Sequence, residues 1–484
     1  MDAAVNKQLE SKQSKKHPPG LYLLFMTEMW ERFSYYGMRA ILVLYLTKSL
    51  VNGGLGMNES TALALYGFFT GAVYFTPLIG GWLSDRFLGQ RIAVTIGGII
   101  MAIGNIVLFA HQSYAAVYTG LILLIVGNGF FKPNISTIVG ELYDPKDKRR
   151  DAAFTIFYMG INVGAFFSPL IIGFITDKWF AVHANGVIEY GYKYGFLASA
   201  IGMIIGQILF NSLGNRFLGD IGKKPVGKPQ VSSVGAVEKQ KLTKTEKNRM
   251  KVIFILAAFV VFFWAGFEQA GGALSIYTDK FVDRTLFGWE IPTSWFQSVN
   301  PLFIVLLAPL VSLLWVKLSN RKRGDLPVPT KMAFGMMLLG IGYIILIFAV
   351  MQTGSNEHHI TTKANILFIV FTYLFHTIGE LFLSPVGLSF VSKYAPIKFA
   401  SLLMAVWMAS SFVANIIAGQ LGSFTSKLGY LEVFSVIGIV VIILGLILLS
   451  VSRKLVKMLA DDQTKEKTNQ ENEEDIADGV LRPN

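Results

Sequence analysis

"FSVIGIVVIILGLILLSVS" (434–452) contains no charged residue and no proline. As an α-helix rising about 1.5 Å per residue it reaches nearly 30 Å, the thickness of a bilayer's hydrocarbon core. Backbone in lipid must satisfy its own hydrogen bonds, so a run of this length and purity reads as a membrane-spanning helix. A soluble surface helix would carry a polar face, and this stretch has none.

The same reading extends over the rest of the chain. Its 484 residues are 53% hydrophobic and only 15% charged, with a mean hydropathy of +0.51; soluble domains are about a quarter charged. Apolar runs between polar breaks give twelve spans. Spans one to six lie at 20–48, 60–84, 91–110, 115–139, 152–176 and 192–213. Spans seven to twelve lie at 250–278, 294–318, 330–351, 364–393, 399–423 and 430–452. The first run is too long for a signal peptide and lacks a small-residue cleavage site, so it is expected to remain as span one. There is no cysteine, which excludes disulfides, thiol chemistry and thiolate metal sites.

Lysine and arginine orient the spans. They crowd the N-terminal tail (Lys7, Lys12, Lys15, Lys16), loop 2–3 (Arg86, Arg91) and loop 4–5 (Lys146, Lys148, Arg149, Arg150). They also crowd the segment after span six (Arg216, Lys223, Lys224 and Lys228 through Arg249), loop 8–9 (Arg321, Lys322, Arg323) and loop 10–11 (Lys393, Lys398). Loops 1–2 and 3–4 are nearly bare of them, and loops 9–10 and 11–12 hold only Lys363 and Lys427. Positive residues favour the cytoplasmic side, so both termini and the central segment are expected inside. The net charge of +12 is thereby explained by topology, and no nucleic-acid partner is expected.

Residues 1–19 read as a cytoplasmic tail, 20–213 as one six-helix bundle, 214–249 as a polar cytoplasmic linker, 250–455 as a second bundle and 456–484 as a polar tail. "LSDR" (83–86) after span two and "LSNR" (318–321) after span eight occupy equivalent places in the two halves. Two six-helix halves joined by a basic loop suggest a transporter whose site lies on the pseudo-two-fold axis.

Span one departs from the apolar rule. "EMWERFSYYGMRA" (28–40) puts Glu28, Glu31, Arg32, Tyr35, Tyr36 and Arg39 within an arc of about 140° at roughly 100° per residue. Each charge near the bilayer centre costs roughly 2.5–3.5 kcal/mol, so four unpaired ones would cost on the order of 10 kcal/mol. A self-neutralising cluster accounts for Glu28 and Arg32, spaced i,i+4, but leaves Arg39 unmatched. The alternative is a stripe facing a wet cavity or opposite charges. Span seven carries Glu268 in "FWAGFEQAGG" (263–272), span four carries Lys132 in "GNGFFKPNIS" (127–136) and span ten carries Glu380 in "GELFLSPVGLS" (379–389). Pro133 and Pro385 remove backbone donors and are expected to kink their helices. His376, one turn before Glu380, has a suitable pKa for proton transfer but no other support. Asp85 and Arg86 read as parts of a cytoplasmic gate, and Asp279, Lys280, Asp283 and Arg284 as a solvated external loop.

These residues carry a family resemblance. "EMWERFSYYG" (28–37) resembles the ExxERFxYYG signature of the proton-dependent oligopeptide transporters, a branch of the major facilitator superfamily. "GGWLSDRFLGQR" (80–91) resembles the superfamily's loop 2–3 motif, and "FTIFYMGINVGAFFSP" (154–169), "FKPN" (131–134), "SWFQSVNPLF" (294–303) and "GELFLSPVGLS" are similar to further family blocks. The resemblance implies an all-α fold of two six-helix bundles and uptake of di- and tripeptides, and of peptide-like drugs, driven by protons across the cell membrane. It implies no enzyme activity and no cofactor beyond the coupling proton, and the transporter is expected to act as a monomer.

Carried over position by position, Arg32, Tyr36 and Lys132 match the group that receives the peptide carboxylate, and Asn162, Asn300 and Glu380 the group that receives the amino terminus. Tyr35, Tyr74, Trp264 and Trp407 match aromatic pocket walls, with Ser411 a polar contact beside them. Arg39 with Glu268, and Lys132 with Glu380, match charge pairs bridging the halves, and Glu28, Glu31 and Glu268 match proton carriers. Two departures stand out: the linker is too short and polar for the two extra helices many bacterial members insert there, and Phe267 stands where some relatives have a second glutamate.

The chemistry suits a zwitterion with variable side chains. Arg binds carboxylate in bidentate fashion, Glu and Asn carbonyls accept from an ammonium, and aromatic walls take many apolar shapes. Other small solutes (amino acids, nitrate) on the same fold, a non-transporting peptide receptor and a membrane enzyme are the competing readings. The last lacks an HExxH set, a clustered His–Asp set and a GxSxG elbow in a suitable context.

Overall fold

The computed structural model describes residues 16–144, 147, 149–225, 243–321, 325–354, 362–396 and 399–460. Several positions read above for charge lie outside these: the tail to residue 15, Lys146, Lys148, the linker residues 226–242, Lys322, Arg323, Lys398 and the tail 461–484, as does the side chain of Pro385.

The fold is all-helical. Spans one to six are the helices Pro19–Thr47, Glu59–Leu83, Gln90–Ala110, Tyr114–Glu141, Arg149–Phe174 and Tyr192–Leu218. Spans seven to twelve are Lys244–Phe267 and its continuation, Val299–Ser319, Val328–Thr353, Ile366–Tyr394, Ala400–Ser423 and Tyr430–Ala460. Among the described residues, eleven helical segments are long and apolar enough to cross a membrane. Span one is the twelfth: at 29 residues it has the length, and its charges lower its hydropathy.

Span seven is not the single helix expected over 250–278. Its first helix ends at Phe267, a 3-10 turn covers Glu268–Gly271, and a second helix runs Ala273–Phe281. The Gly271–Gly272 pair has the weakest helix propensity short of proline, and the turn it permits begins at Glu268. Two short hairpins also escaped the reading. The first pairs 182–184 with 187–189 through Asn185 and Gly186, both left-handed (φ 51° and 76°), as a tight two-residue turn demands. The second pairs 285–286 with 289–290 through Phe287 and Gly288.

The chain forms two compact units, one of residues 1–45, 49–55 and 76–230, the other of 46–48, 56–75 and 231–484. The end of span one and the first two-thirds of span two, placed in the first bundle by sequence order, thus pack within the second unit. In the first unit, span four continues as helix through Pro133. Proline has no N–H for the Gly129 carbonyl four residues back, and that carbonyl lies against Gly80 of span two, where a Cβ would collide with it. In the second unit Gly67 of span two and Gly419 of span eleven meet backbone to backbone, the close small-residue contact that holds helices together in lipid.

Candidate functional site

In the first unit, the helical turn of span one stacks Glu28, Glu31 and Arg32 into one cluster, all at most 3% exposed. Arg32 Nε donates to Glu31 Oε2 and forms an ion pair with Glu28 Oε1 at 3.1 Å. The guanidinium carbon lies 5.5 Å from the Tyr35 ring centroid and 6.0 Å from that of Tyr36. The two rings meet edge to face at 5.3 Å. Lys132, from span four, acts electrostatically on both glutamates. Two carboxylates, a guanidinium and an ammonium make the cluster formally neutral, which is how the span carries this much charge. Asn162 sits on span five with its amide donating to the Tyr158 carbonyl at 3.0 Å.

The second unit builds two features. Asn300 Nδ2 donates to Glu380 Oε2 at 2.8 Å and to Thr377 Oγ1 at 3.0 Å, tying span eight to span ten. Beside this lies a cavity of about 210 Å³ lined by Tyr74, Trp264, Glu268, Trp407 and Ser411 together with Leu383, Ser384, Met408 and Asn415. Four of the expected pocket residues therefore share one wall system; Tyr35, expected with them, lies in the other unit against Arg32. Glu268 is 7% exposed and acts electrostatically on Glu380.

One expectation needs correcting. Asp279 and Arg284 are not a solvated loop: they are buried, with Lys48 bound to Asp279, Thr293 Oγ1 donating to Asp279 at 2.9 Å, and Arg284 bonded to Glu290 at 2.7 Å. Next to them Lys280 meets Glu59 at 2.6 Å. The cause is the second helix of span seven, which carries Asp279 and Lys280 against residues 46–48 and 56–75. Asp283 alone of the four fits the expectation: it is exposed, and the Thr285 N–H bonded to its carboxylate holds that group below the usual carboxylate range. His376 is 2% exposed, packed on Tyr343 at 5.0 Å between ring centroids, and neither ring nitrogen has a well-formed hydrogen bond among the described residues. It is enclosed by packing among the described residues. Arg86 is exposed over the Trp82 and Phe87 rings, while Ser84 bonds Asn134 and Gln90 bonds Glu141 at 3.2 Å.

Sequence reasoning missed Thr377, Asn415 and Asn128. Thr377 and Asn415 gave no signal beyond being polar within apolar spans. Asn128 gave a better one, standing four residues before Lys132 and so on the same helical face. Among the described residues no group of three His, Asp or Glu gathers that could hold a metal.

Comparison with known proteins places this geometry. The family profile PTR2 (POT family) matches residues 91–237 and 224–439. The chain is 37% identical to the uncharacterized transporter YclF of Bacillus subtilis (strain 168) over 93% of this chain and 96% of that one. It is 33% identical to the di-/tripeptide transporter of Lactococcus lactis subsp. lactis (strain IL1403), covering 92% and 97%. The crystal structure of a peptide transporter POT in complex with sulfate superposes with a TM-score of 0.83 at 33% identity, over 92% of this chain and 97% of that one. The protein is a multi-pass membrane transporter, and it belongs to the POT family.

Proposed function

We propose that this chain imports di- and tripeptides together with protons across the cell membrane by alternating access, with both termini cytoplasmic. The observation that carries the reading is the Asn300–Glu380 pair beside an aromatic cavity. A carboxylate oriented by an amide suits an ammonium, and nitrate or another anion has no use for it. At about 210 Å³ the cavity is smaller than the roughly 300–1,000 Å³ that encloses a whole drug-sized ligand, so it suits one side chain of a larger substrate. The similarity to a protein named as a di-/tripeptide transporter supports the same cargo, and peptide-like drugs carry the same two charged ends.

In this reading Arg32, Tyr36 and Lys132 receive the carboxylate, and Glu380, Asn300 and Asn162 the amino terminus. Tyr35, Tyr74, Trp264, Trp407 and Ser411 accommodate side chains. Arg39 pairs with Glu268, and Lys132 with Glu380. Protonating Glu268 releases Arg39 while the peptide carboxylate competes with Glu380 for Lys132; Glu28 and Glu31 are the other proton-bearing groups. The membrane potential contributes roughly 2.3 kcal/mol per charge per 100 mV to the inward step.

Proteoliposomes with an imposed pH gradient test it. They are expected to concentrate radiolabelled dialanine, whereas a receptor that does not transport would bind without accumulation. Glu268→Gln is expected to abolish gradient-driven accumulation and spare counterflow; equal loss of both removes Glu268 from the coupling step.

A further inference from the structure

A pocket of about 660 Å³ opens in the first unit between the end of span four and the start of span five. Its volume falls within the roughly 300–1,000 Å³ that takes a whole small ligand, which the 210 Å³ cavity of the second unit does not reach. Arg150 and Glu141 stand on its walls with the rings of Tyr143 and Phe154. The guanidinium rests where span four has no side chain: a Cβ on Gly140 would lie 3.2 Å from Arg150 Nη2 and 3.7 Å from Phe154 Cζ. The neighbouring Arg149 is engaged by Asp147 at 2.7 Å and by the Lys16 carbonyl at 2.9 Å. Arg150 Nε, by contrast, is buried without a hydrogen-bond partner among the described residues. Buried polar groups are nearly always paired, so an unpaired donor on a pocket wall points to a ligand.

The other groups say which ligand. Glu141 is held as Glu380 is, by an amide: Gln90 Nε2 donates to its Oε1 at 3.2 Å. The Ser136 and Thr137 hydroxyls donate to the Lys132 and Pro133 carbonyls at 3.3 and 3.0 Å, so toward the pocket they offer lone pairs. A guanidinium, a carboxylate, hydroxyl acceptors and two rings match a zwitterion with N–H groups. A bare anion such as sulfate would meet the Glu141 charge. Lys132, Ser136 and Gly140 follow at steps of four along one face of span four. The pocket thus lies about 12 Å beyond Lys132, toward the end that the lysines and arginines orient to the cytoplasm.

We propose that this pocket is a second peptide site at the cytoplasmic end of span four. Arg150 receives the carboxylate, and Glu141 the amino terminus, of a peptide that has left Lys132. The site rests on the peptide reading of the chain, so its test is read by where a peptide binds.

The probe is the dipeptide of alanine and benzoylphenylalanine, photoactivated on the purified full-length protein, with the adducts mapped by mass spectrometry. Adducts are expected at two places, beside Trp264 and Trp407 and within residues 136–154. Excess dialanine should remove both, and sodium sulfate should protect 136–154 far less. Arg150→Gln is expected to lower the 136–154 adduct about tenfold, the equivalent of one lost hydrogen bond to a charged group, and Arg150→Lys to lower it less. Gly140→Ala keeps the charge and displaces the guanidinium, and should lower the same adduct several-fold. The adduct beside Trp264 and Trp407 persists in each variant and reports that it is folded. No 136–154 adduct in the wild type, wild-type yields in Arg150→Gln and Gly140→Ala, or sulfate protection equal to that of dialanine overturns the second site and leaves the peptide reading standing. Failure of dialanine to protect either place, with no dialanine counterflow by the wild type, overturns the peptide reading itself.

Discussion

Asn300 holds Glu380 across two helices by a 2.8 Å hydrogen bond, while its second N–H reaches the Thr377 hydroxyl at 3.0 Å. Both amide donors are thus committed, and the bond fixes one carboxylate oxygen of Glu380.

A carboxylate so arranged should discriminate for a free amino terminus. Replacing Asn300 with Ala releases Glu380 and removes one hydrogen bond to a charged group, typically about 1.5–3 kcal/mol. Dialanine is expected to lose affinity by roughly tenfold or more. Competition between dialanine and its N-acetylated form measures the point directly: the wild type should strongly prefer the free amine, and Asn300→Ala should prefer it much less. An unchanged preference would mean that Glu380 does not meet the amino terminus.

Arg32 Nε lies against two carboxylates at once, at a position fixed by the rigid guanidinium plane that a lysine's flexible ammonium does not reproduce. Arg32→Lys keeps the charge but leaves part of the Glu28–Glu31 pair unmatched in a buried setting. Breaking such a pair costs about 3–5 kcal/mol. The variant is expected to melt several degrees lower in detergent and to lose peptide uptake. Wild-type melting together with wild-type uptake would show that charge alone suffices.

The aromatic wall can be disturbed without touching it. A Cβ on Gly387 would collide with the Trp407 indole, so Gly387→Ala should push that ring into the 210 Å³ cavity. Uptake of dialanine, with its small side chains, is expected to persist, while competition by dipeptides carrying Phe or Trp should weaken several-fold. A uniform loss for all peptides would place the effect on folding instead of on pocket size.

The spans and their helical nature were legible because lipid leaves the backbone no alternative, and runs such as 434–452 state this without ambiguity. The Glu28–Arg32 contact was legible from spacing, since i,i+4 residues share a face, whereas the bond from Arg32 to the adjacent Glu31 was not. The break at Glu268 was not, because periodicity counts apolar residues and is blind to a Gly-Gly pair inside an apolar run. The Asn185–Gly186 hairpin carried a plain turn signal that a search for spans passes over. The position of Asp279 failed for a different reason. Its partners Lys48 and Thr293 are remote or loop-borne in sequence, and charge near a span end looks the same whether water or a second helix receives it.

That buried network supplies a prediction of its own. Lys48, just past the end of span one, is three-quarters withdrawn from water, and Asp279 almost wholly so. Asp279 also faces Arg284 at 3.5 Å and accepts from Thr293 at 2.9 Å. Asp279→Asn therefore leaves two cations without a carboxylate between them. The cost should be roughly 1–3 kcal/mol, below that of a fully enclosed pair because Lys48 keeps some solvent and Arg284 keeps Glu290. Reversing the pair, as Lys48→Asp with Asp279→Lys, would restore an isolated bridge, yet here it sets a lysine against Arg284. The double variant is expected to melt no higher than Asp279→Asn, while Lys48→Arg should melt near the wild type. Thermal unfolding in detergent without peptide measures all three, and full recovery in the reversed pair would show that Arg284 takes no part.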